Sequence, residues 1–291
     1  MIFSPELILT QLLNGLMTGT VLVLIASGLT LVFGMMEVIN FAHGSLYMLG
    51  AYFGYTLVAW TGNFWLALVL APLGVAGVGW VIEFFGIRPL QGRHHLYHLL
   101  VTYGLSLIFW QGTEIIWGSG LLRVHAPPEV SGILRVGKFV YPEYRLFVLG
   151  FSATVVALIW LYLRRSRWGL VVRAAVHDPE MVAALGTNVK RAFTLVFVVG
   201  SALAALAGVV VSPLHSSIRP DMGMDVIIEA FIVVIIGGLG SFQGAVVGGL
   251  ILGLAKTLGF IFVPRLTEAV IFLVVAVVLI IRPAGLLGEA E

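Results

Sequence analysis

Long apolar runs separated by short polar stretches fill this chain from one end to the other. A helix that crosses a bilayer needs roughly 20 mostly apolar residues, fewer where it is broken inside protein. On that rule helices are expected at Ile8–Phe33, Ala42–Trp60, Phe64–Ile87, Leu96–Trp117 and Leu146–Leu163, then at Ala192–Pro213, Asp225–Ile236, Phe242–Phe260 and Leu266–Ile281. The second and seventh are the least regular. GMMEVINFAHG (34–44) joins the first span to the second, and GGLGSFQG (237–244) joins the seventh to the eighth. Both read as helix interruptions. The expected fold is therefore all-α: a polytopic helical membrane protein of eight to nine transmembrane helices in one domain over residues 1–291, interrupted in both halves.

Two polar connections stand out, residues 118–144 and the basic stretch RRSRWGLVVRAAVHDPEMVAALGTNVKR (164–191). The second contains a short helix with both ends marked. Asp178 is a good N-cap, Pro179 fits the first helical position, and Gly186 suits the left-handed residue that ends a helix. Two turns are marginal in water without something to pack on. With Met181, Val182 and Leu185 placed on one side, the helix Pro179–Leu185 reads as a docking surface for another protein.

Composition confirms the class: 60% of 291 residues are hydrophobic and 10% charged, so the apolar residues cannot be confined to a soluble core. The net charge of +2 comes from basic residues scattered over loops, which suits membrane topology better than a nucleic-acid surface. With residues 164–191 cytoplasmic, that side holds Arg88, Arg93, Arg164, Arg165, Arg167, Arg173, Lys190, Arg191 and Arg282. The other holds Arg123, Arg135, Lys138, Arg145, Arg219 and Arg265. The N-terminus is then outside and the C-terminus inside. MIFSPELILT lacks the basic region of a cleaved signal and reads as the start of the first span. The absence of cysteine excludes disulfides and thiolate chemistry. No GxxxxGK[ST] run occurs, so an ATPase of that type would be a separate polypeptide.

Polar groups at membrane depth are costly unless they face protein or a wet cavity. Asn40 and His43 sit in the first interruption, and line a pathway, satisfy each other or cap the second helix. Asn14, Ser27, Thr30, Ser45, Tyr47, Ser241 and Gln243 complete the candidate pathway set. The glycines around 240–253 serve helix packing of the GxxxG kind or a transport site equally well. Glu83 is expected to snorkel beside Arg88, and Glu229 and Lys256 to pair with each other. His94, His95 and His98 lack a nearby carboxylate or cysteine to complete a metal site, and Ser241 lacks a GxSxG setting for a nucleophile.

GLTLVFGMMEVINFAHGSLYMLGAY, IRPLQG, the stretch SRWGLVVRAAVHDPEMVAALGTNVKRAFTLVFVVGSALAALAGV, IIGGLGSFQGAVVGGLILGLAK and the closing RPAGLLG follow one another in order. Together they resemble bacterial branched-chain amino-acid ABC permeases, specifically the NFAHG-containing member of the permease heterodimer. The resemblance implies import across the bacterial inner membrane by alternating access. It implies a homologous second permease, a periplasmic binding protein and two cytoplasmic ATPases that bind ATP and magnesium, with no cofactor in this chain, no catalytic residue and no nucleic acid. It also implies that Arg173, His177, Asp178, Pro179, Met181, Val182, Leu185 and Gly186 form the region coupling to an ATPase. Departures from the pattern are Ser45 where an acid usually follows NFAHG, Glu37 at a commonly small position, Lys256 where Glu is frequent, and a shortened EAA-type motif. Urea, short amides or another amino acid remain alternatives to a branched-chain cargo, as does a self-sufficient transporter or channel.

Overall fold

The computed structural model describes residues 4–288. The first half runs through α1 (Pro5–Met36), α2 (Ala42–Thr61), α3 (Phe64–Val81), α4 (His95–Trp117) and α5 (Glu143–Arg165). Then follow α6 (Arg167–His177), α7 (Pro179–Ala184), α8 (Val189–Val211), α9 (Met222–Gly237), α10 (Phe242–Phe262) and α11 (Thr267–Ile281). A hairpin of β1 (Ile133–Val136) and β2 (Phe139–Pro142) lies in the loop before α5. Among the described residues, seven helices are long and apolar enough to cross a membrane: α1, α3 with its extension to Leu90, α4, α5, α8 with its extension to Leu214, α10, and α11 with the turn before it. The two expected spans outside that set, α2 and α9, each adjoin an interruption.

Sides of the bundle are defined by cross-chain bonds. At one end the N-terminal part of α1 meets the hairpin: Asn14 Oδ1 accepts from the Tyr141 hydroxyl at 3.0 Å and from Arg145 at 2.8 Å. We call this the hairpin side. At the other end the closing residues turn onto α9, where the Leu286 and Leu287 amides donate to the Ile236 and Gly237 carbonyls at 2.8 and 3.0 Å. These carbonyls are helix-end acceptors that would otherwise lack partners. RPAGLLG is thus a cap supplied from elsewhere in the chain.

Helix α1 is the axis of the molecule. Its 32 residues span about 48 Å at 1.5 Å per residue, and it is buried along most of its second half. Glycines set how closely its neighbours approach. Gly15 and Gly19 face Gly249 and Gly253 of α10, two four-residue glycine steps laid against each other, so the GxxxG reading of the later glycines holds. Gly28 meets Gly200 of α8, and Gly34 meets Gly240. On α2, a Cβ added to Gly50 would run into the backbone of Ala205 on α8. By contrast α4, α5 and α11 lie outside and present Leu100, Ile108, Ile115, Leu158, Phe272, Leu273 and Ile280. Such apolar outer faces suit lipid.

Two elements lie outside the expected set. The hairpin turns on Gly137, whose φ of 62° opens a two-residue loop between Val136 and Phe139. Helix α6 separates α5 from α7 because Ser166 breaks the chain direction and caps the new helix, its Oγ accepting from the Gly169 amide at 2.8 Å. The structure also departs from expectation at α3, which continues through a wider π-turn, Ile82–Ile87.

Replacing Gly50 with Val should cost about 1–3 kcal/mol or more through overpacking against a backbone that cannot yield. A lowered melting temperature of the detergent-solubilised protein checks this; an unchanged one would show that α2 and α8 separate freely.

Candidate functional site

The first interruption is an ascent. After α1 ends, Glu37 takes a left-handed φ of 52°, the sole non-glycine to do so among the described residues, and its carbonyl lies 3.2 Å from His95 Nδ1 of α4. Residues 38–41 then run non-helically back into the bundle. His43, one residue into α2, reaches the Ile25 carbonyl at 3.1 Å. Ile25 lies eleven residues before the end of α1, so the segment climbs about 16 Å alongside it. Irregular backbone at such depth persists only if its polar groups find protein partners. Thr102 of α4 supplies two: its hydroxyl oxygen accepts from the Phe41 amide at 3.2 Å, and the hydroxyl lies 3.1 Å from the Ile39 carbonyl.

Asn40 and His43 do not satisfy each other through their side chains, nor does either cap α2. The residue before α2 is Phe41, which makes no side-chain cap. His43 Nε2 must carry the proton it donates to Ile25, which leaves Nδ1 as an unpartnered acceptor. Both polar atoms of the Asn40 amide are buried without partners, as is the Thr30 hydroxyl. Ser27 bonds back to the Val23 carbonyl at 2.6 Å, and the Ser45 hydroxyl lies 3.5 Å from the Ser106 carbonyl, the outer limit of such a bond.

The second interruption stays at the bundle end. Gly238 and Gly240 have φ of 104° and 79°, and Ser241 caps α10 by accepting from the Gly244 amide at 3.1 Å. Gly240 packs on Gly34, so the end of α1 and the start of α10 meet there.

Two cavities flank α1. One, of about 1340 Å³, opens on the hairpin side and is lined along α1 from Asn14 to Ile25, with Tyr47, Arg145, Glu229 and Lys256 around it. The other, of about 1060 Å³, lies on the opposite side, lined along α1 from Leu31 to Glu37, with Arg173, His177, Ser241 and Gln243. Residues 26–30 of α1 line neither, and all five are buried. About 9 Å of packed helix therefore separates the cavities. We refer to this as the waist, and Gly28 lies in it, with room for a Cβ taken by Gly200 and the His43 ring.

The candidate pathway residues thus fall into three groups. Asn14 and Tyr47 line the hairpin-side cavity, and Ser241 and Gln243 the opposite one. Ser27, Thr30, Asn40, His43 and Ser45 line neither and are packed between or beside them. Thr102, Tyr141 and Arg145 escaped the sequence reading. Only a threonine one turn beyond His98 and an arginine close to the start of α5 hinted at them. Burial raises the Tyr141 phenol above its ordinary range, with Arg145 opposing, so the hydroxyl remains a donor to Asn14.

Near α7 the expected caps are present: Asp178 Oδ1 accepts from the Met181 amide at 2.8 Å, and Gly186 has φ 83°. Pro179 opens the helix. The Thr187 amide donates to the Val182 carbonyl at 3.3 Å, closing the C-terminus. The expected single face is divided, however. Met181 and Leu185 are exposed, whereas Val182 turns inward and is buried with the core. The spacing of 100° per residue puts Val182 a quarter-turn from Met181, and the bundle takes that side.

Glu83 does not snorkel. It is fully buried, and Arg88 grips both carboxylate oxygens at 3.1 and 2.9 Å while also reaching Thr194 of α8 at 2.5 Å. The expected pairing of Lys256 with Glu229 is present at 2.5 Å.

These features define a multi-pass α-helical membrane protein with opposed cavities on either side of a closed waist. The chain belongs to the family described as branched-chain amino acid transport system / permease component, whose model matches residues 11–281. It is 33% identical to the high-affinity branched-chain amino acid transport system permease protein LivH of Escherichia coli, over 97% of this chain and 96% of that one. It is 35% identical to BraD of Pseudomonas aeruginosa, named as the corresponding permease protein, with the same coverage. LivM of Escherichia coli, another permease protein so named, is 24% identical over 81% of this chain and 60% of its own.

Arg88→Met would strand a buried carboxylate and should cost about 3–5 kcal/mol, whereas Glu83→Gln with Arg88→Met should recover most of that loss. Thermal unfolding of the two variants checks it; equal losses in the single and double variants would mean that the lost Arg88–Thr194 contact to α8, and not the stranded carboxylate, carries the cost.

Proposed function

We propose that this chain is the membrane-spanning permease subunit of an ATP-driven importer that carries a branched-chain amino acid into the bacterial cytoplasm. It would sit in the inner membrane with residues 164–191 and the C-terminus inside, beside a homologous second permease. A periplasmic binding protein would deliver cargo to the hairpin side. Two cytoplasmic ATPases would bind ATP and Mg²⁺ and hydrolyse the nucleotide, and this chain would be a translocation subunit with no catalytic role. The family and the names of its relatives support the cargo, and similarity to both LivH and LivM supports pairing with a homologue.

The observation that carries the mechanism is the closed waist between two cavities. Alternating access needs a barrier that seals one side while the other is open, and a shift of packed helices moves such a barrier as a unit. The exposed Met181 on α7 and Leu185 just past its end would enter a groove on an ATPase, with Arg173 and His177 close behind at the cavity opposite the hairpin side. Movement of α7 would pass to α8, whose Thr194 is bonded to Arg88 at the end of α3.

Leu185→Asp should leave the bundle folded yet lower the ATPase recovered with the purified permease by about tenfold or more, each tenfold being near 1.4 kcal/mol. Wild-type recovery would remove α7 from the docking surface. Amino-acid flux through this chain reconstituted alone, without ATP, would replace the importer reading with that of a self-sufficient transporter. A separate outcome concerns Asn40. Asn40→Leu removes an unpartnered buried amide, so stability should hold or rise while uptake by the assembled importer falls; unchanged uptake would show that the amide has no part in the cycle.

A further inference from the structure

The hairpin-side cavity carries one feature that neither the fold nor the coupling scheme uses. Glu229 of α9 and Lys256 of α10 face each other across 2.5 Å, their side chains 22% and 39% exposed on the cavity wall. Charges held within membrane helices face protein interiors or wet cavities and mark pathways for cargo more often than chance placement would. The rest of that wall is apolar where it deepens toward the waist, formed by Val21, Leu22 and Ile25 of α1 and by Ile232 one turn beyond Glu229. Of the other cations lining the cavity, Arg145 donates to Asn14 and Arg219 is paired with Asp221 and Asp225, while Arg265 lines it as well.

We propose that Glu229 and Lys256 are the headgroup site for a zwitterionic α-amino acid on its way through the permease, a reading that rests on the importer function above. The α-ammonium replaces Lys256 as the partner of Glu229, and the α-carboxylate replaces Glu229 as the partner of Lys256. The aliphatic side chain lies against Val21, Leu22, Ile25 and Ile232. An ion pair is the one arrangement that a zwitterion can open charge for charge. A simple anion or cation would leave one partner without its counter-charge on a half-exposed wall, so it exchanges less well than a zwitterion. The site therefore selects against monovalent ions and amines while holding cargo weakly, since the pair re-forms when cargo leaves.

The chain contains no cysteine, which gives a direct local test. Thr18→Cys places a single thiol on this cavity wall. The complete importer, with cysteine-free partner subunits, is reconstituted and labelled from the hairpin side with a charged thiol reagent. Leucine at about ten times its Kd should slow labelling about tenfold by mass action, while isopentylamine and 4-methylpentanoate should not. Glu229→Gln and Lys256→Met should each abolish protection. Because either single change leaves a lone charge that could unfold the protein, the double variant Glu229→Gln/Lys256→Met is also measured. It should fold, label at the unprotected rate and show no protection, and the exchange Glu229→Lys/Lys256→Glu should restore protection. Protection by leucine that persists in the double variant, or equal protection by the amine and the acid, would overturn the site. Leucine import is measured in parallel with Thr18 intact. An importer that carries leucine without protecting the introduced thiol overturns the headgroup site alone, whereas one that carries no amino acid overturns the function on which it rests.

Discussion

Inside a bilayer, helices gain nothing from hiding apolar surface, because lipid is as apolar as leucine, and they hold together by close packing and hydrogen bonds. That constraint explains why α1 is laid glycine against glycine with α10, α8 and the α9–α10 turn. Where the side chain is missing, backbones come near enough for many weak contacts to add up. The price is intolerance: a methyl group at Gly28 would have to displace Gly200 or the His43 ring. The waist is closed by the same contacts that hold the bundle together, so opening it requires helices to move as bodies rather than a side chain to swing aside.

Polar chemistry is placed where that packing is interrupted. The ascending segment after Glu37 brings backbone groups to membrane depth, and Thr102 bonds two of them from the neighbouring helix. Asn40, His43 and Thr30 keep polar atoms unpaired in or beside the waist. Several charged groups near the cavities are ion-paired: Glu83 with Arg88, Glu229 with Lys256, Arg219 with two aspartates. The bundle thus tolerates a few unsatisfied amide, hydroxyl and imidazole groups at its centre, while its fully buried carboxylate, Glu83, is held by a counter-charge.

Most of the helices were legible because apolar length is a blunt and additive signal. The two uncertain spans are α2 and α9, each of which adjoins an interruption. Caps were legible too, at Asp178 and Gly186, since their chemistry is local. What escaped depended on contacts distant in sequence. Val182 was assigned outward because a six-residue helix has too few turns to define its own buried face. Helix α6 was hidden by arginines that make a half-exposed amphipathic segment resemble a loop. Asn14, Tyr47, Ser27 and Gln243 look alike as polar residues in spans, and only the depth of each along α1, α2 or α10 assigns them to the hairpin-side cavity, the waist and the opposite cavity.

Helix α7 has six residues, well short of what holds a helix together in water. Its shape is borrowed from Val182 seated in the core and from caps at both ends. In the proposed importer this makes the surface offered to the motor a report on the whole bundle. A permease that had not finished folding would present a loop in place of a formed helix, and the proposed motor would find nothing to hold. Assembly of the proposed complex would then be its own proofreading step, with defective subunits left without an engine.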